Sequence, residues 1–305
     1  MNTIQKIIKY GAMAFAAMLA ISILGAIVTF LFGIMVGVER ETKSGENRIS
    51  VTEEYTKEQI EEENIDTLLV EFSGKITIKP GEILKIEAVD VPEDFVVECR
   101  NGKITVKERK DNSPIHWIVS FGDGFSTEES VTITIPEGLD FKRLEVNSGS
   151  GRVAVEEVST KTLLVDSGSG SVEFHGVKAE ETVLNTGSGA VTVADSDLGK
   201  VTLDSGSGKV KMQQVVARDA DVKTGSGKVE FEGELTGECE FDTGSGAVQL
   251  TIKGSKDEYR VDAECGSGSF RLNGKKIDDG TFGRNVKGEI NVDSGSGSVS
   301  IDFTE

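Results

Sequence analysis

The sequence predicts an all-β fold: a single-chain parallel β-solenoid (β-helix) of 19-residue coils, preceded by one N-terminal transmembrane helix. Three observations predict it. The triplet Gly-Ser-Gly begins at Gly149, Gly168, Gly187, Gly206, Gly225, Gly244, Gly266 and Gly295, so the successive steps are 19, 19, 19, 19, 19, 22 and 29. Around each triplet the apolar residues recur at fixed offsets. Aromatic residues make up only 6% of the chain, which suits a core built of Val, Leu and Ile.

The elements follow in chain order. Residues 1–9 form a short tail, expected on the cytoplasmic side. Residues 10–38 carry no charge, and that run exceeds the roughly 20 apolar residues needed to cross a hydrocarbon core. It is also longer than the apolar part of a cleaved signal peptide, so an uncleaved anchor is expected. Residues 39–66 are acidic and read as a spacer, with a short helix around 57–63. Residues 67–140 hold divergent N-terminal coils and a cap. Here Leu68–Ile78 and Phe95–Val106 resemble worn copies of the repeat, and the alternation of Val131, Ile133 and Ile135 predicts a strand leading into the array. Residues 141–305 form the regular solenoid.

The repeat is legible in columns. Three residues before the first glycine stand Val146, Val165, Leu184, Leu203, Val222, Phe241, Ala263 and Val292. Four after it stand Val153, Val172, Val191, Val210, Val229, Val248, Phe270 and Val299, and six after it Val155, Phe174, Val193, Met212, Phe231, Leu250, Leu272 and Ile301. The residues between the last two columns are mostly polar, which is the alternation of a strand with one buried face. One coil cannot bury that face alone; stacking coils at about 4.8 Å makes the core continuous. The glycines suit corners that need positive φ or close approach to the neighbouring coil.

Charge and composition exclude several functions. A formal charge of −19 argues against nucleic acid as a partner, because phosphate binding needs clustered Lys and Arg. Cys99, Cys239 and Cys265 lie far apart, with no metal-ligand spacing, and an odd count leaves a free thiol. Two residues before the first glycine stand Asn147, Asp166, Asn185, Asp204, Lys223, Asp242, Glu264 and Asp293. These are expected to make Asx-type corner bonds with built-in charge spacing; a calcium ladder would need several oxygens converging on one ion. No phosphate-loop pattern follows the glycines. His116 and His175 lack a catalytic constellation, with His175 expected at the surface. No catalytic residue, cofactor or metal is therefore predicted. The aromatics Trp117, Phe121 and Phe125, in an irregular insertion with His116, are the candidate partner contacts or the plug of a cap. A second protruding loop is expected at 273–287, with Lys275, Lys276, Arg284 and Lys287.

The Ile-Pro-Glu-Gly at 135–138, then tandem Ser-Gly-Ser-Gly-x-Val-x-Val units behind an anchor, resemble a bacterial family of adhesin-type proteins of unknown function that includes LiaG-like envelope proteins. The likeness runs from about Leu68 to Phe303. It implies a β-helical envelope protein without established enzymatic activity, cofactor or functional residues. The expected function is a non-enzymatic surface rod in the cell membrane, its C-terminal domain extracytoplasmic, facing an envelope or surface component that the sequence does not identify. Alternatives are an envelope-stress accessory or scaffold acting through homo-oligomerisation by the anchor or the open ladder end, and a polysaccharide-cleaving β-helix enzyme.

Overall fold

The structure, a computed structural model, describes residues 48–108, 129–278, 280–284 and 286–304. The predicted membrane helix and the aromatic contacts Trp117, Phe121 and Phe125 lie outside the described residues. No described helix is long and apolar enough to cross a membrane.

The described chain is all-β and solenoid-like, built on one long mixed sheet. In its regular part each coil gives one strand before the Ser-Gly corner and one after it: β8 (Phe141–Ser148), β9 (Val153–Glu156), β10 (Ser159–Ser167), β11 (Val172–His175), β12 (Lys178–Thr186), β13 (Val191–Ala194), β14 (Asp197–Ser205), β15 (Val210–Thr224), β16 (Val229–Thr243) and β17 (Val248–Lys253). Residues 19 apart are parallel ladder partners, except at the bulges where β15 meets β14 and β16. Val165 pairs with Val146 and Leu184, and Val191 with Val172 and Val210. All residues of the three predicted columns are buried except Leu272, which is half-buried. Stacking therefore converts period-two alternation into one continuous aliphatic core.

The corner glycines answer to close approach rather than to positive φ, since none of the triplet glycines has a positive φ. A Cβ on the second glycine of the triplet would stand 1.8 Å from the carbonyl oxygen of the neighbouring coil at Gly170, Gly189 and Gly246. Coils stacked this tightly leave no room for any side chain. Positive φ appears instead at the other corner of the coil, in the column Glu157, Gly176, Asp195 and Gln214.

The order of rungs departs from the order of the chain at both ends. The first strands are β1 (Arg48–Tyr55), β2 (Thr67–Glu71), β3 (Lys75–Gly81), β4 (Leu84–Pro92), β5 (Val96–Arg100), β6 (Lys103–Lys107) and β7 (Ser130–Pro136). Leu68–Ile78 is a true coil, β2 and β3, lying against β8 and β9. Phe95–Val106 is not: Asn101 and Gly102, both at positive φ, close β5 and β6 into an antiparallel hairpin. The strand at 130–136 forms and runs on into β8 along the chain, but it stacks outside the regular array: β7 pairs with β3 and β4, and β3 lies between it and β9. Within the span read as spacer, β1 pairs antiparallel with β4, and helix α1 (Lys57–Glu62) carries a capping box from Thr56 and Gln59.

At the other end stand β18 (Tyr259–Cys265), β19 (Phe270–Leu272), β20 (Lys275–Ile277), β21 (Gly280–Gly283), β22 (Gly288–Ser294) and β23 (Val299–Thr304). The last coil in sequence, β22 and β23, lies between β16 and β17 on one side and β18 and β19 on the other. The expected protruding loop is in fact structured: β20 folds back antiparallel on β19, and β21 on β18. Antiparallel strands thus cover the parallel ladder at both ends, and the expected open ladder end is not bare. Covering such edges suppresses uncontrolled strand pairing.

Candidate functional site

The side chains two residues before each corner form an outward column. In rung order it runs Lys107, Glu71, Asn147, Asp166, Asn185, Asp204, Lys223, Asp242, Asp293 and Glu264. Over the six regular coils no two carboxylates adjoin, as the sequence predicts. Interleaving the last coil then brings Asp242, Asp293 and Glu264 onto consecutive rungs.

These side chains do not make the expected Asx-type corner bonds. The hydroxyl one residue closer to the corner does so instead. Ser148, Ser167 and Ser205 donate to the carbonyl oxygens of Gly151, Gly170 and Gly208. Thr224, Thr243 and Ser294 accept from the N–H of Gly227, Gly246 and Gly297 at 2.9–3.0 Å. The hydroxyl is held inside because its position alternates into the core, whereas the preceding residue points out. Thr186 is the exception, buried with no hydrogen-bond partner for Oγ1. Thr243→Val is expected to leave the Gly246 N–H unpaired and cost about 1 kcal/mol, while Thr186→Val costs nothing measurable; thermal or urea unfolding of the two variants checks the contrast.

Freed from the corners, the outward column lines a trough of about 1070 Å³ spanning the coils from Asp166 to Asp293, floored by the exposed first glycines. A second hollow of about 550 Å³, lined by Glu71, Phe72, Lys107 and Asn147, continues it along the same corner and shares Asp166. Asp166, Asp204 and Asp293 make no ion pair among the described residues, and Lys223 is held by Asp221 at 2.9 Å. The adjoining face behaves differently: there Lys209 and Lys228 both bind Glu230 at 2.6–2.7 Å, and Arg152 pairs with Glu173 of the next coil. That face satisfies its own charges, and the two lysines hold the Glu230 carboxyl below its ordinary range. The trough leaves most of its carboxylates available to solvent or to a partner.

Asp242 is a perturbed carboxyl in the trough. Partial burial, then the neighbouring Glu240, raise its carboxyl above the usual range against the opposing pull of Lys223, with Asp293 adding to the rise. A carboxyl raised in the folded state destabilises the fold where it is ionised, and this cost disappears below the pKa of the unfolded chain, about 3.9. Asp242→Asn is therefore expected to raise Tm slightly at pH 7, with the gain fading as pH falls through the raised carboxyl's own range and gone below about 4. A Tm–pH series for the two proteins reads this directly.

Elsewhere the described residues named from the sequence stand apart. His175 is exposed, its Nε2 3.4 Å from Asp195 Oδ2 in the next coil. Cys239 and Cys265 are buried and Cys99 half-buried, and burial pushes the Cys239 thiol up to about 11. Among the described residues no His, Cys, Asp and Glu side chains gather in a group able to hold a metal ion.

The chain matches the family described as Toastrack DUF4097 over residues 65–302. Comparison with curated proteins found no match. Among solved structures, one from Parabacteroides distasonis, provisionally described as a lipid binding protein, is similar at a TM-score of 0.51 and 16% identity, covering 85% of this chain and 98% of that one. A provisionally described cell adhesion protein from Clostridium sporogenes covers 84% of this chain and 100% of its own at 13% identity and a TM-score of 0.31. A provisionally described adhesin from Bacteroides fragilis covers 84% and 97% at 12% identity and a TM-score of 0.38.

Proposed function

Because the chain belongs to the Toastrack DUF4097 family, we propose that it is a membrane-anchored, non-enzymatic cell-surface protein, an adhesin-like rod of parallel β-helical coils. Its C-terminal domain lies outside the membrane and presents the coil corners to an envelope or surface partner. The observation that carries this reading is the trough. Its lining repeats from coil to coil and does not converge on one point, which suits an extended partner laid across several rungs better than a small substrate held at one. The uncharged run at 10–38 supplies the anchor, and the aromatics Trp117, Phe121 and Phe125 add a second contact surface.

Two measurements test it. Protease added to intact cells should cleave the domain; cleavage only after lysis would place it inside and end the surface reading. Binding of the full chain to isolated envelopes should fall in Asp166→Asn/Asp204→Asn/Asp242→Asn, with the greatest difference at low salt, where exposed charges are least screened. Equal binding by the triple variant at every salt concentration would remove the trough from the account. A second reading, a scaffold or envelope-stress accessory acting through self-association, is favoured by the arrangement of the last coil.

A further inference from the structure

The tail coil, β22 and β23, is the only ladder connection among the described residues between the array ending in β17 and the strands β18–β21, a C-terminal cap. β18 pairs with β21 and β22 only, and β19 with β20 and β23 only. Neither cap strand pairs with β16 or β17, whose partners on this side are β22 and β23. The tail is thus a rung inserted late in the chain into a slot already bounded on both sides.

The slot specifies its occupant closely. Ile290, Val292, Val299 and Ile301 of the tail fill the core columns and are fully or almost fully buried. A Cβ on Gly295 or Gly297 would stand 2.5 or 1.7 Å from the carbonyl oxygens of Gly244 and Gly246, so both positions must be glycine. Ser294 satisfies the corner within its own coil and also donates to Gly246 O across the rung. An alternating apolar strand, a hydroxyl, a Gly-Ser-Gly corner and a second alternating strand are all required. The tail of another copy of this chain meets every condition.

The tail is joined to the preceding strand by a short connector. Its connector leaves β21 at Gly283, at positive φ, and passes through Val286, which is 71% exposed. The connector is held mainly through Glu258, by backbone bonds from Val286 and Lys287 and by the Lys287–Glu258 ion pair at 3.0 Å. Exchange of an identical element between copies keeps every contact of the closed form, and its balance is set by concentration and connector strain.

We propose that β22–β23 is an exchangeable donor coil, and that the slot between β16–β17 and β18–β19 is an interface for the tail of a second copy. Exchange joins copies by main-chain ladders, in the manner of strand-addition complexes. It does not depend on the trough or on the surface location; binding by the trough can stand or fall separately.

The test uses Lys253 and Thr304, exposed ladder partners on β17 and β23. Parallel partners about 4.8 Å apart lie within the Cα separation a disulfide spans. Full chains carrying K253C or T304C, each with Cys99→Ala, are produced together in one membrane and oxidised. Exchange predicts a disulfide-linked dimer of the two chains, at least tenfold above either single variant alone and rising with expression level. The K253C/T304C double variant should close largely within one chain. If the double variant closes internally while the mixed singles stay at control level, the tail does not exchange and the proposal is overturned. Failure of the double variant to close at all would show that the tail does not occupy the slot, and would overturn it equally.

Discussion

Gly208→Ala is expected to destabilise the array by at least about 3 kcal/mol, lowering Tm by many degrees or leaving the chain unfolded. The new Cβ would lie 1.8 Å from the Gly189 carbonyl oxygen, and overpacking a well-filled site already costs about 1–3 kcal/mol when only side chains must move. Here the obstacle is backbone, in a corner whose flanking strands are laddered to the neighbouring coils. Gly149→Ala is the matched control. Its Cβ would meet nothing closer than Ser73 Oγ at 3.6 Å, and its φ is not positive. That variant should unfold within about 0.5 kcal/mol of the parent, as an unremarkable surface change does. Circular-dichroism melts of the pair separate a steric requirement of stacking from a general need for flexible corners, under which both would be damaged.

Phe241→Ala should cost about 3–5 kcal/mol, the usual loss for a buried phenylalanine. The ring is fully buried, packs edge-on against Phe231 at 6.1 Å between centroids, and stacks between Val222 and Val292. Because Val292 belongs to the tail, the cavity opens at the joint between array and donor coil. Protection from amide hydrogen exchange should therefore fall first in β22 and β23, ahead of β10 to β14. Uniform loss across all coils would mean that the rungs melt as one unit and that the tail has no separate stability.

The columns were legible because each rung repeats the same physical demand: an aliphatic side chain inward, a polar one outward, glycine where two backbones nearly touch. The short helix at 57–62 was legible for a local reason, its capping residues and polar composition. The order of the rungs was not. Val146, Val165, Val222 and Val292 are interchangeable as occupants of one column, so the sequence spells the column without saying which coil lies on which. Only the irregular steps of 22 and 29 hinted that the chain leaves the stack before Gly295. The hairpin at Asn101-Gly102 is hidden within Phe95–Val106 for a related reason, since a hairpin and a coil corner both join two alternating strands. The second corner was hidden because glycine marks it only at Gly176 and Gly233, while Glu157, Asp195 and Gln214 adopt positive φ with no glycine to show it.

The trough was half visible. Its acidic column is legible in the sequence, but the sequence does not distinguish the residue that bonds the corner from its neighbour, and it is the Ser and Thr hydroxyls that do so. The three consecutive carboxylates at its end arise only from interleaving, which no linear reading supplies.

The claim beneath all of this is that residues sharing a column are rungs of one parallel stack, with the chain's last coil inside it. Spin labels on Asp166→Cys paired in turn with Asp242→Cys, Asp293→Cys and Glu264→Cys, with the native cysteines replaced by alanine, measure it directly by pulsed electron resonance. At about 4.8 Å per rung, the account predicts mean separations near ~19, ~24 and ~29 Å, so position 293 lies nearer than position 264. A longer distance to 293 than to 264 would restore chain order and contradict the inserted tail, and separations that do not climb rung by rung would contradict the stack itself.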